Sequence, residues 1–177
     1  MARLRNLNIP HKLNEFHQDA WMRMKGIMGN KTGVCYGLSA FWIIKGGGPA
    51  FQHFANSPEA KENVQSFQNA QADGSLLQAK LVTEGQKVVR DGHLYWYPLA
   101  EMYKKISDPG HYLIGLKKGG KGDGHAIACS NILKGGRVFD PNIGQVSFTE
   151  KSYVEKVARS ICDLYPYDTA MWVKSIG

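Results

Sequence analysis

Residues 111–148 of this chain read HYLIGLKKGGKGDGHAIACSNILKGGRVFDPNIGQVSF, and this stretch decides the fold class. Apolar and polar residues alternate along it, and glycine-rich pieces interrupt the alternation. A period of two is typical of half-buried strands, and the glycine-rich pieces are typical of turns. The pattern predicts four successive strands, followed by a fifth near the C-terminus, at 111–118, 124–134, 137–140, 145–148 and 169–176.

The preceding hundred residues are different, because their apolar residues recur at helical spacing. Helices are predicted at 13–28, 34–45, about 57–72 and 99–106. A further helix is predicted between the break at Asp73-Gly74 and about residue 90, and another follows the four strands at 149–163. The buried face predicted for the first helix consists of Leu13, Phe16, Ala20, Met24 and Ile27. Helices first and antiparallel strands second predict an α+β fold. We expect one domain over residues 1–177, with a helical lobe at about 1–108 packed on a sheet lobe at about 109–177.

Composition limits the functional classes. The chain has 177 residues, of which 43% are hydrophobic, enough for one core, and no apolar run is long enough for a membrane span. Its formal charge of +7 could attract nucleic acid, an anionic membrane or an acidic substrate, although ordinary solubility is the commoner explanation. No nucleic-acid partner is expected, because the sequence has no Lys/Arg run and no nucleic-acid-binding motif.

The N-terminus and the cysteines indicate the cellular compartment in which the protein works. The N-terminus has basic residues without a following apolar segment, so it does not resemble a cleavable secretory signal. The protein either stays in the cytosol, leaves by a route without such a signal, or is part of a larger chain. Three cysteines without a CxxC pair argue against a disulfide framework or a zinc site, and they favour reducing surroundings.

Cys35 is the candidate nucleophile. It is predicted in the first turn of a helix that follows a glycine-bearing loop. The unpaired N–H groups and the positive dipole end of a helix stabilise a thiolate, which is the reactive form of cysteine. A lone cysteine is more often a small buried apolar residue, so this position alone does not decide the matter.

His125 and Asp140 complete a possible triad. His125 begins a strand directly after a glycine-rich stretch, and Asp140 ends the next strand, before Pro141. A hairpin that turns at Lys134-Gly135-Gly136 would bring the two side chains close together, so that the carboxylate could orient the imidazole. Each residue also has an ordinary interpretation, a polar strand end for His125 and a turn for Asp140. Together, in the order Cys, His, Asp, they predict nucleophilic catalysis.

Three motifs resemble the YopT-type cysteine proteases, which are papain-like effectors of bacterial pathogens. GVCYGLSAFWI carries the family's C-x-x-L-S-x-x-W-I pattern, GHAIAC carries its G-H-A strand start, and FDPNIG carries its D-P-N-x-G. The resemblance covers about residues 30–150. It implies a papain-like two-lobed fold and a catalytic triad of Cys35, His125 and Asp140.

The resemblance also implies an oxyanion donor before the cysteine. Papain-like enzymes use a side-chain amide together with the cysteine's own N–H, and loss of one such donor costs about 2.7–4 kcal/mol in the transition state. Asn30, five residues upstream, is the candidate. It could equally do no more than form the Gly29-Asn30 turn.

Other candidate residues are weaker. Cys129 lies about 13 Å along its strand from His125, too far to share a proton, and is expected in the core. Cys162 and His93 have no evident partners. Tyr95, Trp96 and Tyr97 either line a substrate cleft or pack against the core, packing being the commoner role.

Three functions follow, from two classes. The first is a protease that needs no metal or organic cofactor and acts on a protein substrate, as a monomer. The second keeps the triad in an amidase, deamidase, transglutaminase or peptidoglycan amidase. The third is a non-catalytic module that binds nucleic acid or an anionic membrane surface through its basic N-terminal third. The resemblance favours the first function, the protease. It implies a secreted virulence effector or toxin that reaches the target-cell cytoplasm without a signal peptide. If the protein is not secreted, we expect it in the cytoplasm.

Overall fold

A computed structural model of the chain describes residues 4, 7–27, 34–47, 51–70, 88–89, 95–132 and 135–176. The helices are α1 Gln18–Met24, α2 Cys35–Ile44, α3 Phe51–Ala55, α4 Ala60–Ala70, α5 Leu99–Lys105 and α6 Val154–Cys162, with a 3₁₀ turn at Lys151–Tyr153. The strands are β1 Lys12–Glu15, β2 Val88–Val89, β3 Tyr97–Pro98, β4 His111–Lys118, β5 Lys121–Ser130, β6 Gly136–Asp140, β7 Gly144–Phe148 and β8 Thr169–Ser175.

The strands form one antiparallel sheet in the order β1-β7-β6-β5-β4-β8-β2, and β3 also pairs with β8. The centre of the sheet is the predicted run of hairpins, since β4, β5, β6 and β7 are neighbours in space as in sequence. The predicted strands are confirmed, with ends that shift by a few residues, and so is the α+β fold class.

Helices cover both faces of the sheet. On one face, α2 buries Leu38 and Trp42 against Phe139 of β6. On the other face, α5 and α6 bury Met102 and Ile161 in a separate cluster. The alternation of the strands explains this division, because successive residues of one strand belong to opposite clusters.

The helix that carries Cys35 is held firmly. Trp42 stacks on Phe139 at a centroid distance of 5.7 Å, and its indole N–H donates to Gln145 Oε1 at 2.9 Å. Gly37 lets α4 approach closely, because a Cβ there would come within 2.1 Å of the Val64 carbonyl oxygen. The helix ends after Ile44, where Gly46 and Gly47 adopt positive φ angles. The prediction of a helix over 34–45 is confirmed.

The helix predicted over 13–28 is wrong in its first half. Lys12–Glu15 is an edge strand that pairs with β7, and the helix extends only from Gln18 to Met24. Ala20 and Met24 of the predicted buried face are exposed, Met24 by 60%. Strand pairing outweighs the helical pattern here, because β1 hydrogen-bonds to the edge strand β7, which would otherwise have unpaired backbone groups. The pairing also places Phe16 against the rings of Phe51 and Phe139.

Two smaller differences concern residues 51–90. Phe51–Ala55 forms a helix that was not predicted. Val88–Val89 is a short strand that pairs with β8, although the sequence predicted a helix that continues to about residue 90. The preceding part of that helix and the break at Asp73-Gly74 lie outside the described residues. No helix in the described part of the chain has the length and apolarity that a membrane crossing requires.

Candidate active site

Cys35 is the first residue of α2 and is buried. Val34 before it is the N-cap and has no side chain that could cap the helix. The N–H of Val34 instead donates to Gln18 Oε1 at 3.1 Å. The helix tip that carries the thiol is therefore capped from a different segment of the chain.

His125 and Asp140 are in direct contact. The His125 Nε2 and the Asp140 Oδ1 are 2.7 Å apart, and both side chains are buried. Because Ala128 pairs with Phe139 and Cys129 with Val138, both side chains project from the same face of the β5–β6 hairpin. An ionised carboxylate only accepts hydrogen bonds, so Nε2 carries the proton and Nδ1 is left for another partner.

The Cys35 thiol is the second group that acts on the imidazole. Burial lowers the pKa of His125, but hydrogen bonding to Asp140 and to Cys35 and the charges of both groups outweigh burial and raise the pKa to about 9. The imidazole therefore interacts with both the carboxylate and the thiol. The structure brings together the three residues that the sequence singled out.

Tyr165 completes the surroundings of the carboxylate and was missed by the sequence analysis. Its hydroxyl donates to Asp140 Oδ2 at 2.6 Å, and its ring lies 4.6 Å from the His125 ring. The N–H of Asn142 donates to Asp140 Oδ1 at 2.9 Å. Burial and the charge of Asp140 raise the pKa of Tyr165, so the hydroxyl remains a donor. Three donors hold the buried carboxylate in place.

Gln18 was also missed, although it connects the two halves of the site. Its Nε2 donates to Asn142 Oδ1 at 2.6 Å, while its Oε1 accepts from Val34. Its backbone N–H donates to the Pro141 carbonyl oxygen at 2.7 Å. One buried amide thus links the tip of the cysteine helix to the loop after Asp140. No local pattern reveals it, because its side-chain partners are 16 and 124 residues away.

Replacing Gln18 with alanine is expected to lower the free energy of unfolding by about 2 kcal/mol, because it leaves the buried N–H of Val34 without its acceptor and Asn142 without its donor. It should also slow the alkylation of Cys35 by iodoacetamide. Urea unfolding and the alkylation rate measure the two effects. Gln52→Ala, at an exposed position of α3, is the control and should stay within about 0.5 kcal/mol of the original chain. Equal behaviour of the two variants would show that the link is unimportant.

The remaining candidates fall into two groups. Asn30 and His93 lie outside the described residues. Cys129 and Cys162 are buried, and burial raises the pKa of both thiols, that of Cys162 to about 12. Both therefore stay protonated at neutral pH. Tyr95 is 65% exposed, whereas Trp96 and Tyr97 are half-buried.

A sequence model of the peptidase family described as Yersinia/Haemophilus virulence surface antigen matches residues 55–168, more than half of the chain. The chain belongs to this family of YopT-type cysteine proteases. The matched region contains His125 and Asp140 and begins after Cys35. The resemblance noted from the three motifs is confirmed at the level of the family, and the protein is a cysteine peptidase of a bacterial virulence family.

Solved structures agree on the fold. The avirulence protein AvrPphB of Pseudomonas matches with a TM-score of 0.60 and 19% identity, over 81% of this chain and 92% of that one. PatoxP, a cysteine protease-like domain of the Photorhabdus asymbiotica toxin PaTox, matches with a TM-score of 0.61 and 14% identity, over 98% of this chain. This chain spans 56% of that second structure. No curated protein sequence matches.

Proposed function

We propose that this family member hydrolyses a peptide bond in a target-cell protein, with Cys35 as nucleophile, His125 as proton carrier and Asp140 as the residue that orients His125. The observation that supports this most strongly is the buried imidazole, which is hydrogen-bonded to the carboxylate and interacts with the thiol. A thiol, an imidazole and a carboxylate in this order are the parts of a nucleophilic hydrolase.

In the proposed reaction, the Cys35 thiolate attacks the carbonyl carbon of the scissile bond while His125 holds the proton. The tetrahedral intermediate collapses when His125 donates that proton to the leaving amine, which leaves an acyl group on the sulfur. His125 then takes a proton from water, the hydroxide attacks the acyl carbon, and the proton returns to the thiol as the acid product departs. Asp140 keeps the imidazolium stable throughout.

The developing oxyanion needs hydrogen-bond donors. The backbone N–H of Cys35 is one of the first four N–H groups of α2, which have no partner inside the helix. It is therefore available to an oxygen bound at the helix tip. Asn30 remains our proposed second donor.

The surroundings differ among the three buried thiols. Cys35 is next to His125, whereas Cys129 and Cys162 lie in the apolar cluster beneath the sheet, where burial raises their pKa and keeps them protonated. Nucleophilic attack requires a thiolate, so the two other cysteines are not suited to catalysis.

We further propose that the chain is a single papain-like domain with lobes at about 1–108 and 109–177. We also propose that it acts as a monomer without a cofactor and that it is secreted into the target-cell cytoplasm. The partner is a protein substrate, with an anionic membrane surface as a second candidate and no nucleic acid. Membership of a virulence family of cysteine peptidases supports the place of action and the kind of substrate.

Labelling with an epoxysuccinyl peptide, a reagent that alkylates papain-type cysteines, tests the proposal. The original chain should be labelled at Cys35, Cys35→Ala should not be labelled, and His125→Ala should react at least about 100-fold more slowly, since general-base assistance contributes that much or more. Peptide mapping locates the modified residue. Labelling at Cys129 or Cys162 would contradict the assignment.

A peptide library, analysed by mass spectrometry, tests the type of reaction. A protease splits library members into two fragments, and Cys35→Ala abolishes the splitting. Conversion of a glutamine side chain to a glutamate or to a cross-linked product, without chain cleavage, would instead identify a deamidase or transglutaminase.

A further inference from the structure

A basic hairpin lies at the end of the strand that carries His125. Residues 117–124, KKGGKGDG, join β4 to β5 and contain three lysines against one aspartate. We call this segment the lysine hairpin. Lys118 and Lys121 are exposed, and Lys117 is half-buried. None of the three lysines forms an ion pair with any residue that the structure describes.

Two of these lysines repel each other, and the nearby carboxylates of Asp123 and Asp168 form no ion pair with them. Lys118 and Lys121 stand directly opposite each other across the two strands. Like charges in that position repel and destabilise a hairpin. The Lys117 ammonium lies 5.4 Å from the ring centre of Trp96 and adds a third positive charge to the hairpin. A negatively charged ligand would relieve this repulsion.

The hairpin is held in place rather than left free. Asp168 Oδ1 accepts from the N–H of Gly119 at 2.8 Å, and Thr169 Oγ1 accepts from the N–H of Gly120 at 3.0 Å. The Thr169 hydroxyl also donates to the Lys117 carbonyl oxygen at 2.6 Å. A surface that is already ordered loses little conformational entropy when a ligand binds.

The lysine hairpin is close to the proposed nucleophile. Lys121 and His125 of β5 pair with Lys118 and Leu116, which are two residues apart on β4, so a bulge places Lys121 only about 7 Å along the sheet from His125, at 3.3 Å per residue. Trp96 packs over Gly120, where a Cβ would lie 3.0 Å from the indole, and reaches Gly115, where a Cβ would also meet Tyr36 at 4.0 Å. Tyr36 is the residue after Cys35, so a chain of contacts connects the hairpin to the site.

We propose that the lysine hairpin and Trp96 bind an acidic segment of the protein substrate, about two residues from the scissile bond. This rests on the proposed function, because it assigns the surface to the substrate of the Cys35 site. An extended peptide spans about 7 Å in two residues, which matches the separation of Lys121 from His125 along the sheet. Carboxylates of the substrate would lie between Lys118 and Lys121 and next to Lys117, and Trp96 would cover the peptide's apolar atoms.

Epoxysuccinyl peptides with different charges test the proposal. Three reagents share one core and carry Glu-Glu, Gln-Gln or Lys-Lys about two residues from the epoxide. Each reagent is made in two forms, with the peptide on one or the other carboxyl group of the epoxysuccinate. The second-order rate constant of Cys35 labelling is the readout. In one of the two orientations the Glu-Glu reagent should react at least about tenfold faster than the Gln-Gln reagent at low salt, with a smaller ratio at high salt.

Charge reversal provides the decisive comparison. The double variant Lys118→Glu/Lys121→Glu should react faster with the Lys-Lys reagent than with the Glu-Glu reagent, the reverse of the original preference. The control is Lys151→Glu/Lys156→Glu, which changes the net charge equally at exposed positions of the 3₁₀ turn and α6. It should keep the original preference for Glu-Glu.

Failure of the acidic-substrate proposal can be distinguished from failure of the proposed function. Equal labelling of the original chain by all three reagents would overturn the acidic-substrate proposal and leave the proposed function intact. Absence of Cys35 labelling by every reagent would overturn both. If the double variant keeps its reagent preference but loses binding to phosphatidylserine vesicles, the hairpin binds a membrane and the proposal is wrong.

Discussion

Replacing Asp140 with alanine is expected to lower the rate of peptide hydrolysis about 10,000-fold, the loss seen when a catalytic histidine loses its carboxylate partner. His125 would lose the group that fixes its orientation and stabilises its charged form. The same change should lower the free energy of unfolding by about 3–5 kcal/mol, because it removes the buried carboxylate that accepts from three donors. Initial rates and urea unfolding measure the two effects.

Asp140→Asn separates the charge from the hydrogen bonds. An asparagine can still accept from His125 and donate to the Tyr165 hydroxyl, so it should cost less stability than alanine. The charge is lost, however, and the pKa of His125 should fall below its value of about 9.

The pH dependence follows from the sign of this shift. Because folding raises the pKa of His125 above its ordinary value of 6.5, its contribution to stability is complete below pH 6.5 and is lost as the pH rises towards about 9. The loss should begin at lower pH in Asp140→Asn. Hydrolysis in the original chain should decline over the same interval as the proton donor for the leaving amine disappears. Identical pH profiles of the two proteins would contradict this account of His125.

Replacing Gly144 with alanine is expected to lower the free energy of unfolding by at least about 3 kcal/mol. Gly144 has a φ of 129°, and a Cβ there would come within 2.1 Å of the Asn14 carbonyl oxygen and 2.8 Å of the Phe16 nitrogen. These are backbone atoms of β1 and its end, which cannot rotate away. The pairing of β1 with β7 would have to open, and Gln18 would leave Asn142. Strain at a positive φ and loss of buried contacts both contribute.

Gly26→Ala is the matched control. Gly26 has a φ of 70°, but a Cβ there would meet nothing within 4 Å, so only the backbone cost of about 1–2 kcal/mol applies. Urea unfolding and Cys35 labelling of the two variants make the comparison. If Gly144→Ala is no less stable than Gly26→Ala, the close approach of β1 does not matter to the fold.

The sequence predicted what depends on local patterns. Alternation located the hairpins of residues 111–148, and the short spacing of His125 and Asp140 placed them on one hairpin. The cysteine helix was predicted from its apolar spacing and its glycine stop. The YopT-type resemblance then connected the three motifs, although no local pattern shows that the tip of α2 meets β5.

What the sequence did not predict depends on distant partners. Lys12–Glu15 has a helical pattern, but pairing with β7 overrides it. Gln18 and Tyr165 are ordinary polar residues in their own segments, and only tertiary contacts bring them to Asn142 and Asp140. The lysine hairpin is visible in the sequence as a charged turn, whereas its attachment to Asp168 and Thr169 is not.

The contact of Gln18 with Asn142 has a consequence for how the molecule folds. Those residues are separated by 124 positions, and closing so large a loop costs more chain entropy than forming the hairpins between β4 and β7. We therefore expect the hairpins to form early and β1 to dock late. Until β1 docks, the helix tip that carries the thiol is not tied to the loop after Asp140. A nascent chain would then stay inactive until folding is nearly finished, which limits damage to the cell that makes it.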